Sequence, residues 1–135
     1  MKKIGEYVFS MCTKLNTIEV DSNNSVFTSR DKNGKNCDVI IKKGSYTQTL
    51  LYGANGVDGK ITIPEGVTSI EVEAFRGRIG LTEITLPKTL TSISKNAFDY
   101  CKNLKIINNA SRLELTIKSN EYGGVAYYAT TINKI

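Results

Sequence analysis

The chain has 135 residues, enough for one domain, and its 40% hydrophobic and 23% charged residues are those of an ordinary globular protein. The formal net charge of +5 comes from basic residues scattered along the chain, so we expect no nucleic-acid partner. Histidine is absent, so the usual general base and the commonest metal ligand are both missing.

Residues 4–21 are the first, incomplete copy of a 23-residue unit that recurs in full at 61–83 and 84–106. The same residue types fall at matching positions of the three copies: Ile4 with Ile70 and Ile93, Phe9 with Phe75 and Phe98, Leu15 with Leu81 and Leu104, and Ile18 with Ile84 and Ile107. A fixed period of this length indicates one supersecondary unit stacked on copies of itself.

The chain begins halfway through this unit, and its start lacks the continuous apolar core of a signal peptide. Solenoids normally carry atypical terminal units that cover the ends of the stack. We therefore expect that the sequence is an excerpt of a longer protein, or that another chain covers its first turn. In the second case the uncapped N-terminal end would allow the chain to self-associate. No apolar run reaches the roughly 18 residues of a membrane-spanning helix, so we expect no membrane insertion.

Residues 22–60 break the register and predict an expanded coil. Two β-prone runs, 37–41 and 47–53, are joined by KKGSY, which predicts a β-hairpin. The segment is too short to bury a core of its own, so we interpret it as an enlarged turn of the solenoid. Its excess of basic side chains leaves two interpretations open: a solvated hairpin, or a basic edge that docks acidic partners or glycans.

Each complete unit predicts two short extended pieces and one tight turn. Leu81, Ile84 and Leu86 alternate as in a half-buried strand, and a proline then ends the ladder. The segment 90–93 is a second extended piece, after which Ser94 offers an N-cap for about one helical turn. Such a unit is typical of a leucine-rich-repeat coil, in which equivalent strands stack into a parallel sheet.

Residues 107–135 continue the pattern in a weaker form and predict a degenerate terminal coil. Asn109 replaces an apolar strand residue, the segment 113–118 alternates as a strand should, and 125–132 is another β-prone run. The predicted fold class is therefore α/β: a right-handed, β-rich leucine-rich-repeat solenoid with short helical or 3₁₀ turns and an inserted hairpin. We expect residues 1–135 to form a single domain.

The cysteines and carboxylates do not predict a catalytic or metal site. Cys12, Cys37 and Cys101 lie in no CxxC or zinc spacing, and without histidine a Cys–His nucleophile cannot form. Cys12 and Cys101 match within the repeat, at a position that we expect to face inward and hold a small apolar side chain. Glu71 and Glu73 fall in a turn and should be solvated. We expect no enzyme, no cofactor and no metal.

Several features together resemble the BspA-type leucine-rich repeat family: the frame I-x-x-x-A-F-x-x-C-x-x-L-x-x-I-x-L-P, the segment ITIPEGVTSI at 61–70 and the 23-residue period. The hairpin sequence between Cys37 and Leu50 and the segment GGVAYYA at 123–129 are similar to parts of the same proteins. The resemblance implies a secreted or surface-displayed solenoid of gut and oral bacteria or parasitic protozoa that binds host or bacterial surface proteins without catalysis. It brings no ligand residues.

The strand residues between the inward apolar ones point outward in alternation, and stacking aligns them in columns. Such a broad, shallow face suits a protein partner better than a small substrate. The predicted partner-binding face consists of Thr17, Glu19, Lys60, Thr62, Glu83, Thr85 and Asn108. Our leading hypothesis is a non-catalytic binding or adhesion module of a cell-surface or secreted protein. The alternative is a structural or self-assembling repeat spacer without a dedicated ligand.

Overall fold

The computed structural model describes residues 12–135, and part of the predicted first repeat, 4–11, lies outside this range. The strands in the described range are β1 (Phe27–Arg30), β2 (Asn36–Lys43), β3 (Gln48–Gly53), β4 (Lys60–Thr62), β5 (Ser69–Ile70), β6 (Glu83–Leu86), β7 (Ser92–Ile93), β8 (Ile106–Asn109) and β9 (Thr131–Lys134). Short 3₁₀ turns lie at Val57–Gly59 and Tyr122–Gly124.

The strands β4, β6, β8 and β9 form a parallel sheet in that order. Equivalent residues of successive coils lie side by side: Ile61 pairs with Ile84, Ile84 with Ile107, and Ile107 with Ile132. In β6 buried and half-buried residues alternate, since successive side chains of a strand point to opposite faces. The structure is thus a leucine-rich-repeat solenoid of parallel strands, as the 23-residue period predicts.

The second sheet has the strand order β1-β2-β3-β5-β7. The predicted hairpin is present: β2 and β3 pair antiparallel, with Ile41 beside Leu50. From β3 onward the sheet is parallel, with Leu50 beside Ile70 and Ile70 beside Ile93. The inserted segment therefore extends a line of stacked extended pieces, and Val39, Ile41 and Leu50 join the solenoid core. The expectation that it buries no core of its own is wrong in part, because Phe27, Ile40 and Tyr52 form a second buried cluster with Val20.

An aromatic stack runs through the interior of the coils. Phe75 and Phe98 are buried with parallel rings, 4.9 Å between their centroids and 6° between their planes. Gly53 takes the equivalent place in the expanded coil: its N–H donates to the Ala74 carbonyl at 3.0 Å, as the Phe75 N–H donates to Ala97 at 2.8 Å. A Cβ atom at Gly53 would lie 1.9 Å from the Phe75 ring, so only glycine leaves room for the stack.

Arg78 is fully buried at the position that Cys101 occupies in the next coil. The Arg78 Nε donates to the Gly53 carbonyl, and the Cys101 thiol donates to the Phe75 carbonyl at 3.0 Å. Both side chains thus bind a carbonyl of the preceding coil, so the position holds a hydrogen-bond donor and is not restricted to small apolar residues. The predicted inward orientation is correct for Cys101 and wrong for Cys12, which is exposed. Instead of the Cys12 side chain, the buried Arg78 side chain lies in the interior, and it donates to the Cys12 backbone carbonyl at 3.3 Å.

The helical turn predicted after Ser94 is replaced by successive tight turns, and residues 12–135 contain no α-helix. The Ala97 N–H donates to Ser94 at 3.3 Å and the Cys101 N–H to Phe98 at 3.2 Å, each across three residues. Asn96 lies within the first of these turns and Tyr100 within the second, and each has a φ of 61°. A left-handed residue cannot continue a right-handed helix, so the α part of the predicted α/β class is confined to the short 3₁₀ turns.

The terminal coil differs from the prediction in two places. The segment 113–118 is not a strand. The buried Asn109 side chain folds the backbone of residues 109–113, just before this segment, into a turn. Its amide donates to the Leu113 carbonyl at 2.9 Å, and its oxygen accepts the Ser111 N–H at 3.0 Å. Residues 125–128 are turns as well, and the last strand begins at Thr131.

Candidate functional site

Five of the predicted face residues lie together on the four-stranded sheet. Lys60 pairs with Glu83, and Thr62 pairs with Thr85, which in turn pairs with Asn108. Lys60 and Thr62 are exposed, whereas Glu83, Thr85 and Asn108 are half-buried. The in-register stacking of the strands therefore arranges their outward side chains in two columns, which we call the sheet face.

Hydrogen bonds run along the sheet face from one coil to the next. The Asn108 amide nitrogen donates to the Glu83 carboxylate at 2.9 Å and contacts the Thr85 hydroxyl at 3.3 Å. The Asn133 amide donates to the Asn108 oxygen at 2.9 Å. Asn133 is absent from the predicted set, although it lies 25 residues after Asn108 and alternates with Ile132 as an outward strand residue should. These bonds connect Glu83, Thr85, Asn108 and Asn133 across three successive coils.

Thr17 and Glu19 are exposed but lie outside the strands of the sheet, so the predicted face does not extend to them as a strand. The insertion binds this segment of chain: the Asn36 amide donates to the Ile18 carbonyl at 2.9 Å, and the Ile18 N–H donates to the Asp38 carboxylate at 3.2 Å. Glu19 forms an ion pair with Arg30 of the insertion. Side chains of the insertion thus satisfy backbone groups that a neighbouring strand would otherwise bind.

A groove of about 690 Å³ lies between the insertion and the sheet. One wall is the turn 31–35 with the start of β2, and the other is formed by the ends of β4 and β6 and the prolines that follow them. Lys60, Thr62 and Thr85 of the sheet face also line it. We call this cleft the insertion groove. It joins the two features that the sequence suggested separately, the basic insertion and the outward strand residues.

The carboxylates of the insertion groove are occupied by neighbouring donors. Asp31 accepts the N–H groups of Asn33 and Lys35 at 2.9 and 3.0 Å. Asp38 is buried and accepts the Ile18 N–H, and Glu65 accepts the Lys88 N–H at 3.2 Å. These bonds engage one oxygen atom of each carboxylate.

A smaller cleft of about 230 Å³ lies among the turn segments, where Tyr100 and Tyr127 are partly exposed. The Arg76 guanidinium lies 5.2 Å from the centre of the Tyr100 ring, and Tyr127 packs edge-on against Tyr128. The sequence prediction included none of these residues. Most of their exposed surface is aromatic, in contrast to the charged rim of the insertion groove.

The acidic pair considered in the sequence does not form a catalytic centre. Glu71 is exposed as expected, whereas Glu73 is partly buried and binds Arg76 at 2.7 Å. Within residues 12–135 no group of three or more Cys, Asp or Glu side chains is placed to hold a metal ion. In the same range no helix has the length and apolar character needed to cross a membrane.

The three cysteines differ in exposure, so their thiols should react at different rates. Burial raises the pKa of Cys101 to about 12, and burial with the nearby Asp31 carboxylate raises the pKa of the half-buried Cys37. A raised pKa lowers the fraction of reactive thiolate at a given pH. We expect iodoacetamide at pH 8 to label Cys12 first, Cys37 more slowly and Cys101 only after unfolding, as followed by peptide mass spectrometry. Labelling of native Cys101 as fast as Cys37 would contradict the core packing.

The family model for the BspA type leucine-rich repeat region, with six copies, matches residues 1–42 and 57–132. No curated protein matches the chain. Among solved structures, the crystal structure of a leucine rich cell surface protein from Faecalibacterium prausnitzii A2-165 is similar at 21% identity and a TM-score of 0.41. That match covers 98% of this chain and 45% of the other, so this chain spans less than half of that protein's length. Because the family match covers most of its residues, the chain belongs to the BspA type leucine-rich repeat family.

Proposed function

We propose that this chain is a non-catalytic binding module of a secreted or cell-surface protein, and that it contacts another protein through the sheet face. Family membership supports the repeat-protein part of this proposal. The surface location and an adhesive role rest on the same family and on the columns of polar side chains described above. No cofactor enters the proposal.

The observation that carries the proposal is the hydrogen-bonded order of the outward columns. Asn108 is bound to Glu83, and Asn133 is bound to Asn108, so these groups are held in place before any partner arrives. A surface that is already ordered loses little side-chain entropy on binding, which reduces the cost of association. Rows of fixed donors and acceptors on β-strands therefore suit recognition of another protein surface.

The shape of the face argues for a macromolecular partner. Small-molecule sites are concave and bury most of their ligand. Beyond the groove that Lys60, Thr62 and Thr85 line at one edge, the sheet face is an open stack of short strands with exposed residues such as Thr131 and Asn133. Protein interfaces instead use a broad patch with a polar rim. The sheet face resembles such a protein-binding patch more than a small-molecule site.

The test compares Glu83→Lys, on the sheet face, with Glu71→Lys, an equal charge change at an exposed carboxylate in a turn. Binding of the full chain to an array of purified matrix proteins, bacterial surface proteins and glycans is measured by biolayer interferometry. We expect Glu83→Lys to weaken binding to the protein partner at least tenfold, because lysine cannot accept the Asn108 hydrogen bond that orders the outward column. Glu71→Lys should leave it within about twofold.

Stability is measured on the same variants. Glu83→Lys loses one hydrogen bond from Asn108, so its free energy of unfolding should fall by no more than about 1.5 kcal/mol. Equal binding by the two variants would contradict the proposal. If no arrayed protein binds and light scattering shows concentration-dependent assembly, the alternative of a self-assembling structural spacer replaces the proposed binding module.

A further inference from the structure

We propose that the insertion groove binds an acidic peptide segment that also carries apolar side chains. This inference rests on the proposed function, because Lys60, Thr62 and Thr85 belong both to the groove and to the sheet face. It adds the chemistry of the partner and the part of the face that selects it.

The groove brings together four lysines from distant parts of the chain. Lys32 and Lys35 lie in the turn of the insertion, Lys60 begins β4, and Lys88 follows the proline after β6. All four are exposed. Within residues 12–135 none of the four ammonium groups forms a hydrogen bond or an ion pair, in contrast to Lys134, which binds Glu114.

Three carboxylates also line the groove, and each of them accepts a backbone N–H. Asp31 and Asp38 accept bonds from the insertion and from the chain segment beside it, and Glu65 accepts the Lys88 backbone N–H. The carboxylates keep their charge, so four lysines and three carboxylates give the side chains of the groove a net charge of +1. Among these charged groups of the described residues, only the lysine ammonium groups lack a hydrogen-bond partner. The complementary ligand supplies acceptors and negative charge, as Asp and Glu side chains do.

Apolar residues form much of the remaining surface. The floor consists of the residues that end the strands, including Ile63, Leu86 and their following prolines. Val57, which also lines the groove, is 62% exposed. An apolar floor beneath a basic rim favours a peptide with both carboxylates and aliphatic side chains over a sulfated glycan, which is anionic but has no aliphatic side chains.

The probe is a short fluorescein-labelled peptide in which Glu alternates with Leu or Val, and binding to the full chain is measured by fluorescence anisotropy. A second peptide has Ser in place of the apolar residues, a third has Lys in place of Glu, and a heparin fragment serves as the purely anionic competitor. We expect the first peptide to bind at least tenfold more tightly than the others. Raising the salt from about 0.05 to about 0.3 M should weaken its binding about tenfold, since exposed charges are screened.

The variant Lys60→Gln/Lys88→Gln removes two charges from the groove, and Lys95→Gln/Lys102→Gln removes two exposed charges from the turn segments. The net charge of the two variants is the same. We expect the groove variant to bind the first peptide at least tenfold more weakly and the control variant to bind it within twofold. Circular dichroism confirms that both variants are folded.

The inference is overturned if the two double variants bind alike, if the Ser peptide or heparin binds as tightly as the first peptide, or if no probe binds. The two proposals fail separately. Loss of protein binding in Glu83→Lys without any peptide binding would retain the sheet face and reject the groove. Peptide binding that depends on Lys60 and Lys88, together with unchanged protein binding in Glu83→Lys, would reject the sheet face as the site of protein recognition.

Discussion

Replacing Phe75 by alanine is expected to lower the free energy of unfolding by about 3–5 kcal/mol, the range for truncation of a buried phenylalanine. The ring is fully buried and stacks on Phe98, while on its other side it fills the space above Gly53. Removing it takes contacts from two neighbouring coils at once. The cavity that remains lies between backbones whose spacing is fixed by hydrogen bonds, so it cannot collapse.

Urea unfolding followed by circular dichroism measures this loss. Tyr46→Ala is the matched control, because the Tyr46 side chain is 97% exposed and its removal should change stability by less than about 0.5 kcal/mol. Phe98→Ala should resemble Phe75→Ala, since the two rings share the stack. A loss below about 1 kcal/mol in Phe75→Ala would show that the repeat register is wrong.

The variant Arg78→Met is expected to destabilise the chain by about 2–4 kcal/mol. Methionine keeps an unbranched side chain but provides no donor for the carbonyls of Gly53, Arg76 and Cys12, which Arg78 binds in the structure. An unsatisfied buried carbonyl costs about 1–3 kcal/mol. Burial lowers the pKa of the guanidinium, and loss of a buried charge recovers part of this cost, so the expected loss is smaller than the sum of three carbonyls.

The matched control is Arg112→Met, because Arg112 is exposed and forms no hydrogen bond or ion pair within residues 12–135. It should change the free energy of unfolding by less than about 0.5 kcal/mol. If Arg78→Met is equally mild, the carbonyls have other donors and Arg78 is not what joins the coils at this level. Arg78→Cys, which introduces the residue type of Cys101, should still destabilise the chain, since the shorter side chain leaves a cavity.

The regular part of the fold was predictable because one sequence period encodes it. Ile61, Ile84 and Ile107 recur at 23 residues, and the parallel sheet pairs them in that register. The hairpin was predictable from local turn chemistry and β-prone runs, and its strands pair as expected. The 23-residue period and the turn residues of the hairpin can both be recognised in one sequence without an alignment.

The departures from prediction arise where one side chain or one dihedral angle overrides the pattern. The positive φ of Asn96 and Tyr100 converts an expected helical turn into tight turns. Asparagine adopts this conformation more readily than most residues, but tyrosine does not, so the residue type gives a signal at only one of the two positions. Asn109 reads as a weakened strand residue, but its side chain folds the following segment and removes a predicted strand. Arg78 differs in residue type from Cys101 at the matching repeat position, yet it donates to a carbonyl as Cys101 does.

The candidate site was only half predictable for a related reason. Alternation within strands identifies Lys60, Thr62 and Thr85 as outward residues, and the structure places them there. The insertion groove depends on how the turn 31–35 lies against the ends of strands far along the chain. No sequence period relates that turn to the strands, so the shared groove became visible only in three dimensions.

Amide hydrogen exchange on the full chain, with and without the Glu/Leu peptide, tests the central claim most directly. If the insertion groove and the adjoining sheet face form the binding site, the peptide will slow exchange in the segments 31–36, 60–65 and 83–88, all of which line or adjoin it. Exchange in the turn segment 94–103, which holds the control lysines, should not change. Protection confined to 94–103, or no protection when the peptide is bound, would contradict the account.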